Sequence, residues 1–192
     1  MTNLSRTAAL VIVDVQNDFL PRGQLAVPEG DKIIPGLNRY IARFQKNQRP
    51  IFATRDWHPA NHCSFKSQGG PWPVHCVADT HGAQFSKSLE LPSSATIISK
   101  GTTARKEAYS GFEGTSLEAL LREASADTLY VGGLATDYCV LNTVKDALRL
   151  GFKVVLLTEA MRAVDVHPGD GARAESEMVR LGAVPASKSL VD

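Results

Sequence analysis

Apolar and polar positions alternate between two periods along the chain. Residues 8–13 form a continuous apolar run closed by Asp14, the pattern of a strand buried on both faces with a carboxylate at its C-terminal end. Ile33, Ile34, Leu37, Tyr40, Ile41 and Phe44 then recur at helical spacing, and residues 47–50 stop that helix. Residues 51–54 predict a second short strand that delivers Arg55, Asp56, Trp57 and His58. Over 59–82 prolines and glycines break every period, so a long functional loop is expected there. Residues 96–99 predict a third strand that ends at Lys100 and Gly101. Leu117, Leu120 and Leu121 begin a helix capped by Thr115 or Ser116, with Glu118 placed for a capping box if Thr115 is the cap.

The next strand-to-helix passage is the densest in signal. Residues 129–131 predict a central strand, Gly132 and Gly133 let the backbone turn, and Tyr138, Val140, Leu141, Val144 and Leu148 mark a helix. Thr136 is the expected N-cap, which puts Cys139 in the first helical turn. Backbone N–H groups there lack intrahelical partners, and the positive end of the helix dipole favours an anion. A thiol at such a place tends towards a thiolate, and the N–H groups of Ala135, Thr136 and Cys139 can hold an oxyanion. A lone cysteine is also read as a small apolar filler of the corner, so partners elsewhere in the chain must decide. Residues 153–157 predict another strand, 174–181 a final helix and 183–185 the start of a last edge strand.

Strands alternating with helices imply an α/β fold, a three-layer α/β/α sandwich around a mainly parallel, Rossmann-like six-stranded sheet. In such sheets side chains at the C-terminal strand ends converge on one crevice, and Asp14, Asp56, Lys100 and Cys139 all fall at such ends. One charge at a strand end merely marks the return to solvent. Four ionisable residues at four ends weaken that explanation.

A chain of 192 residues with 43% hydrophobic composition suits one domain over 1–192. Lys and Arg number 21 against 20 Asp and Glu, and no basic cluster offers itself to a phosphate backbone, which argues against nucleic acid as a partner. No apolar run approaches the roughly 20 residues that span a bilayer, and the N-terminal residues pass straight into a strand rather than a signal segment. A cytoplasmic protein with no membrane partner is expected. Three cysteines, Cys63, Cys76 and Cys139, are too few and odd in number for a disulfide framework, which agrees with a reducing compartment.

Six motifs occur in order: DVQNDF at 14–19, RDWHPANH at 55–62, WPVHC at 72–76, SKG at 99–101, YSGFEGT at 109–115 and GLATDYC at 133–139. Together they resemble the nicotinamidase family of the isochorismatase-like cysteine hydrolase superfamily. The resemblance implies Cys139 as nucleophile, Asp14 as the carboxylate that moves the proton and Lys100 as the third member of a triad. It implies an oxyanion site from the N–H groups of Ala135 and Cys139, and a cis peptide between Ala135 and Thr136. It also implies one divalent metal ion, Zn, Mn or Fe, on Asp56, His58 and His75. The spacing agrees independently, because Asp56 and His58 at i, i+2 on an extended segment point the same way. Phe19, Trp72, Tyr109 and Ala135 match positions that line the substrate slot, with Leu25 beside them.

His62 is expected to support the ligands without binding the ion. A structural zinc site from His58, His62, Cys63, His75 and Cys76 is the competing reading of this region, disfavoured because no C-x-x-C pair is present. The activity implied is hydrolysis of nicotinamide to nicotinate and ammonia through a cysteine thioester, within NAD salvage, with pyrazinamide as a second small-molecule substrate on shape. The alternatives are a related amidohydrolase acting on a carbamoyl or ureido substrate, and a silent binding module. The latter should have lost its charged triad first, whereas Asp14, Lys100 and Cys139 are all present. A homo-oligomer stays open on sequence alone.

Overall fold

In the computed structural model, residues 4–187 are described. Six strands, β1 (Ala8–Val13), β2 (Ile51–Asp56), β3 (Thr96–Lys100), β4 (Thr128–Leu134), β5 (Lys153–Arg162) and β6 (Val184–Pro185), form one sheet in the order β3-β2-β1-β4-β5-β6. Every neighbouring pair is parallel. Four helices, α1 (Ile34–Lys46), α2 (Leu117–Glu123), α3 (Leu141–Arg149) and α4 (Asp170–Arg180), cover it. None among the described residues is long and apolar enough to cross a membrane.

The layering follows from the period of two in β1. Leu10 and Ile12 pack with Leu37, Tyr40, Ile41 and Phe44 of α1 on one face. Ala9, Val11 and Val13 pack with Leu117 and Leu121 of α2, Val144 of α3 and Met178 of α4 on the other. All six β1 residues are buried, which is why the run is apolar without alternation. Each fully buried Leu or Ile contributes about 2 kcal/mol relative to exposure.

The main departures from the sequence reading lie at element ends. Gly132 and Gly133 belong to β4 rather than to the turn, and β5 runs on to Arg162 instead of stopping at residue 157. The cause is a register shift between Val131 and Gly133, after which Gly133 pairs with Met161 and Leu134 with Arg162. Helix α4 starts at Asp170, four residues before the apolar period becomes visible. At α2 Ser116 holds the cap position, while the Thr115 hydroxyl accepts the Leu117 N–H at 3.2 Å and donates to the Gly111 carbonyl at 2.6 Å.

Gly133 is required where it stands. Its φ is 128°, and a Cβ there would lie 2.1 Å from the Val13 carbonyl oxygen on the neighbouring strand. Gly133→Ala is therefore expected to destabilise the fold by about 3 kcal/mol, since both the backbone and β1 must move. A urea midpoint within error of the unsubstituted protein would show that β1 and β4 are not held at this distance in solution.

The chain builds β1, β2 and β3 outward in one direction and then returns to place β4 on the free side of β1. Between β1 and β4 the strand order reverses, and the crevice of a doubly wound sheet opens outside the carboxyl ends at that point.

Candidate active site

Asp14 leaves β1 with φ of 50°, a left-handed turn that swings its carboxylate back over the strand ends. There the Thr54 hydroxyl donates to Asp14 Oδ1 at 2.6 Å. Lys100, at the end of β3, is 1% exposed and lies in the middle of the group. Its Nζ is 2.9 Å from Asp14 Oδ2 and donates to Asp56 Oδ1, to the Ala108 carbonyl at 3.2 Å and to Cys139 Sγ at 3.4 Å. Asp14 Oδ2 has this ion partner but no donor in hydrogen-bond geometry, and a carboxylate oxygen of Asp14 lies within 4.8 Å of the Cys139 sulfur. Asp14 Oδ2 is free to accept a proton.

The turn that carries Cys139 differs in detail from expectation. Ala135, not Thr136, caps the helix, and the first turn over Thr136–Val140 is a π-turn in which the Ala135 carbonyl accepts the N–H of both Tyr138 and Val140 at 3.1 Å. The turn closes one residue early, and the cis peptide is accordingly between Leu134 and Ala135 rather than between Ala135 and Thr136.

Electrostatics corrects a second expectation. Burial pushes the Cys139 thiol well above its ordinary value; Lys100 pulls it down, but Asp14 and Asp56 add to the rise. Two buried carboxylates face one ammonium, so a third negative charge on the sulfur is disfavoured. Burial works against the Lys100 ammonium, yet Asp14 and Asp56 outweigh it and hold the lysine charged. Burial likewise raises Asp14 in spite of Lys100, whereas Asp56 is held well below the usual carboxylate range because Lys100 and His58 together overcome its burial.

Asp56 also belongs to a second group. Ligand atoms of Asp56, His58 and His75, all buried, lie within 4.8 Å of one another. His58 Nδ1 donates to the Gly101 carbonyl at 2.9 Å and His75 Nδ1 to the Pro73 carbonyl at 2.8 Å, which leaves both Nε2 lone pairs for an ion. One carboxylate and two so oriented imidazoles fit Zn, Mn or Fe. Without an ion, burial opposes charge on His58 but Asp56 outweighs it and raises its pKa, while burial lowers that of His75. Gly101 has φ of 61°, and a Cβ there would lie 2.4 Å from His58 Cε1, so the glycine of SKG lets the histidine lie against the chain.

Among the described residues no such ligand group includes His62, Cys63 or Cys76, so the competing structural zinc site does not assemble. Cys76 is fully buried, and its N–H is donated to Asp18 Oδ2 at 2.7 Å. His62 stacks on His58 with ring centroids 4.0 Å apart.

Phe19, Leu25, Trp72, Tyr109 and Ala135 line a narrow pocket that reaches Asp56, His75 and Cys139. Trp72 Nε1 donates to the Tyr109 hydroxyl at 3.0 Å, and burial pushes Tyr109 up to about 12, which keeps the phenol neutral. Sequence reasoning missed Tyr138 and Val164 in this wall, since Tyr138 reads as one more member of a helical period. It also missed Gln16. That side chain, fully buried, accepts the Asp56 N–H at 2.8 Å and donates to the Asp56 carbonyl at 2.7 Å and to Ala83 at 2.8 Å, clamping the shared aspartate. Its only signal was a polar amide three residues after a wholly apolar strand.

The Isochorismatase domain family matches residues 8–187. The chain belongs to the isochorismatase family. Within it, the nicotinamidase of Escherichia coli (strain K12) is 43% identical over 91% of this chain and 92% of its own. The crystal structure of the pyrazinamidase of Pyrococcus horikoshii in complex with zinc superposes with a TM-score of 0.91 at 51% identity, covering 94% of this chain and 99% of that one. PnC1 from L. infantum, in complex with nicotinate, gives a TM-score of 0.89 at 36% identity over 98% and 96% of the two chains. The shared isochorismatase fold thus extends over nearly the whole length of each relative.

Proposed function

We propose that this isochorismatase-family chain is a metal-dependent nicotinamidase that converts nicotinamide to nicotinate and ammonia, accepts pyrazinamide as well, and serves NAD salvage in the cytoplasm. The observation that carries the reading is Lys100 Nζ set between Asp14, Asp56 and Cys139 at the inner end of the aromatic pocket. The zinc-bound pyrazinamidase and the nicotinate-bound relative support the choice of ion class and substrate.

In the reaction, Asp14 takes the thiol proton as the Cys139 sulfur attacks the amide carbon, and Lys100 offsets the charge that leaves the sulfur. The N–H groups of Ala135 and Cys139 hold the oxyanion, where one such donor is worth about 3 kcal/mol. Asp14 then gives its proton to the amide nitrogen, the C–N bond breaks, ammonia departs and a thioester remains. Water attacks that thioester while Asp14 takes its proton. The C–S bond breaks, the proton returns from Asp14 to the thiolate, and the released nicotinic acid gives its own proton to solvent to become nicotinate. A divalent ion held by Asp56, His58 and His75 supplies, when bound, a Lewis acid for the pyridine nitrogen.

Ammonia release from nicotinamide, pyrazinamide and benzamide tests the reading. Benzamide, which has the shape but no ring nitrogen, should be at least ~100-fold poorer in kcat/KM, because a site built around a polar partner rejects an analogue lacking it. Equal rates on benzamide would sink the ring-nitrogen role, and turnover of carbamoyl compounds alone would favour the other amidohydrolase reading.

A further inference from the structure

Residues 101–110 contain no helix or strand, yet they form one wall of the site. Tyr109 lines the pocket and the Ala108 carbonyl accepts from Lys100. This segment is fastened to the loop that bears His58 and His75. The Cys63 N–H donates to the Ala104 carbonyl at 2.8 Å, Trp72 to the Tyr109 hydroxyl at 3.0 Å, and the His62 ring meets the Lys106 carbonyl at 3.1 Å.

The hydrogen bonds of His62 fix its tautomer. Nδ1 accepts the Ser64 N–H at 3.3 Å and faces the Ser64 hydroxyl at 2.7 Å, so it carries the lone pair. Nε2 therefore carries the hydrogen, and the Lys106 carbonyl is its acceptor. With one nitrogen spent as acceptor and the other protonated, no lone pair is left for an ion. The ring is wholly buried and lies almost parallel to His58, at 18°.

We infer that His62 is a positioning residue, a latch that holds segment 101–110 against the metal-binding loop and backs the His58 ring. The inference deepens the metal-site reading above and rests on it for the role of His58. His62 thereby joins the ligand loop to the segment that carries Tyr109 into the pocket lining.

The test compares His62→Ala, His62→Gln and Ser64→Ala with the unsubstituted protein, using zinc titration against a chromogenic chelator, steady-state kinetics on nicotinamide and iodoacetamide alkylation of Cys139. His62→Ala should still take one zinc, with affinity reduced less than about tenfold, since it loses no ligand. Its KM should rise about tenfold, more than kcat falls, through loss of a buried hydrogen bond and a looser wall. Alkylation of Cys139 should become faster. His62→Gln, which keeps one acceptor and one donor, should recover most of the KM change. Loss of more than ~100-fold in zinc affinity would make His62 a ligand and overturn the latch. Unchanged KM and alkylation in His62→Ala would overturn it equally. If His62→Ala fails to fold, Ser64→Ala decides: a rise of about threefold in KM supports the latch, and no change removes it. A wild-type protein that takes no zinc would instead sink the metal-site reading, with the latch still read from KM and alkylation.

Discussion

Cys139→Ala is expected to lower kcat on nicotinamide by ~10⁴-fold or more while leaving folding and substrate binding nearly intact. In the proposed reaction the Cys139 sulfur forms the acyl bond, and among the described residues Lys100 Nζ has no other thiol and no hydroxyl as a partner. Without it, water must attack the amide directly, with only the backbone N–H groups and Asp14 to help. Those groups leave some residual catalysis, as oxyanion donors do when a nucleophile is removed. The side chain is small and its sulfur is shared with Lys100, so the stability change should stay within about 1 kcal/mol. Nicotinate binding, measured by calorimetry, should persist because the aromatic wall is untouched. Activity within tenfold of the unsubstituted enzyme would remove Cys139 from the mechanism.

The second large effect is a split between turnover and thiol reactivity in Asp14→Asn. Asp14 is one of the groups that hold the Cys139 thiol above its ordinary value, whereas Lys100 lowers it. Replacing the carboxylate by a neutral amide removes a negative neighbour, so the thiol pKa falls and alkylation at a fixed pH near neutrality speeds up. Turnover should nevertheless drop ~10³-fold, because no group remains to protonate the departing nitrogen or to activate water. Lys100→Ala moves the thiol the other way, since the remaining carboxylates then act unopposed, and alkylation should require still higher pH. The pH dependence of alkylation for the two variants should shift in opposite directions. Two unshifted profiles would mean that neither charge is coupled to the sulfur.

The convergence of Asp14, Asp56, Lys100 and Cys139 was legible because it follows from strand ends alone. Each sits just past or at the end of an apolar run, and a parallel sheet brings such ends together. The grouping of Asp56, His58 and His75 was legible in part from the i, i+2 spacing, although nothing in the spacing revealed that Nδ1 of both histidines is spent on carbonyls. The net direction of the Cys139 shift differs from expectation, although Lys100 lowers it as expected. Position in a first helical turn favours a thiolate, but burial and two carboxylates, contributed by strands distant in sequence, override it. Gln16 and Tyr138 escaped for a related reason. A side chain's bonding to a chain segment 40 residues away, as with Gln16 and Asp56, leaves no trace in local periodicity.

Asp56 gives one oxygen to Lys100 and turns the other towards His58 Nε2, 3.5 Å away. The ion site and the proton site therefore share a single negative charge. A cation that draws on Asp56 leaves Lys100 freer to favour charge on Asp14 and Cys139, so loading the ion eases ionisation of the thiol. Thermodynamic linkage makes the relation reciprocal: whatever factor the ion contributes to the acidity of Cys139, an ionised Cys139 returns to the affinity for the ion. Metal binding and proton binding are thus opposed through one side chain: the ion favours the loss of the Cys139 proton, and the proton weakens the hold on the ion.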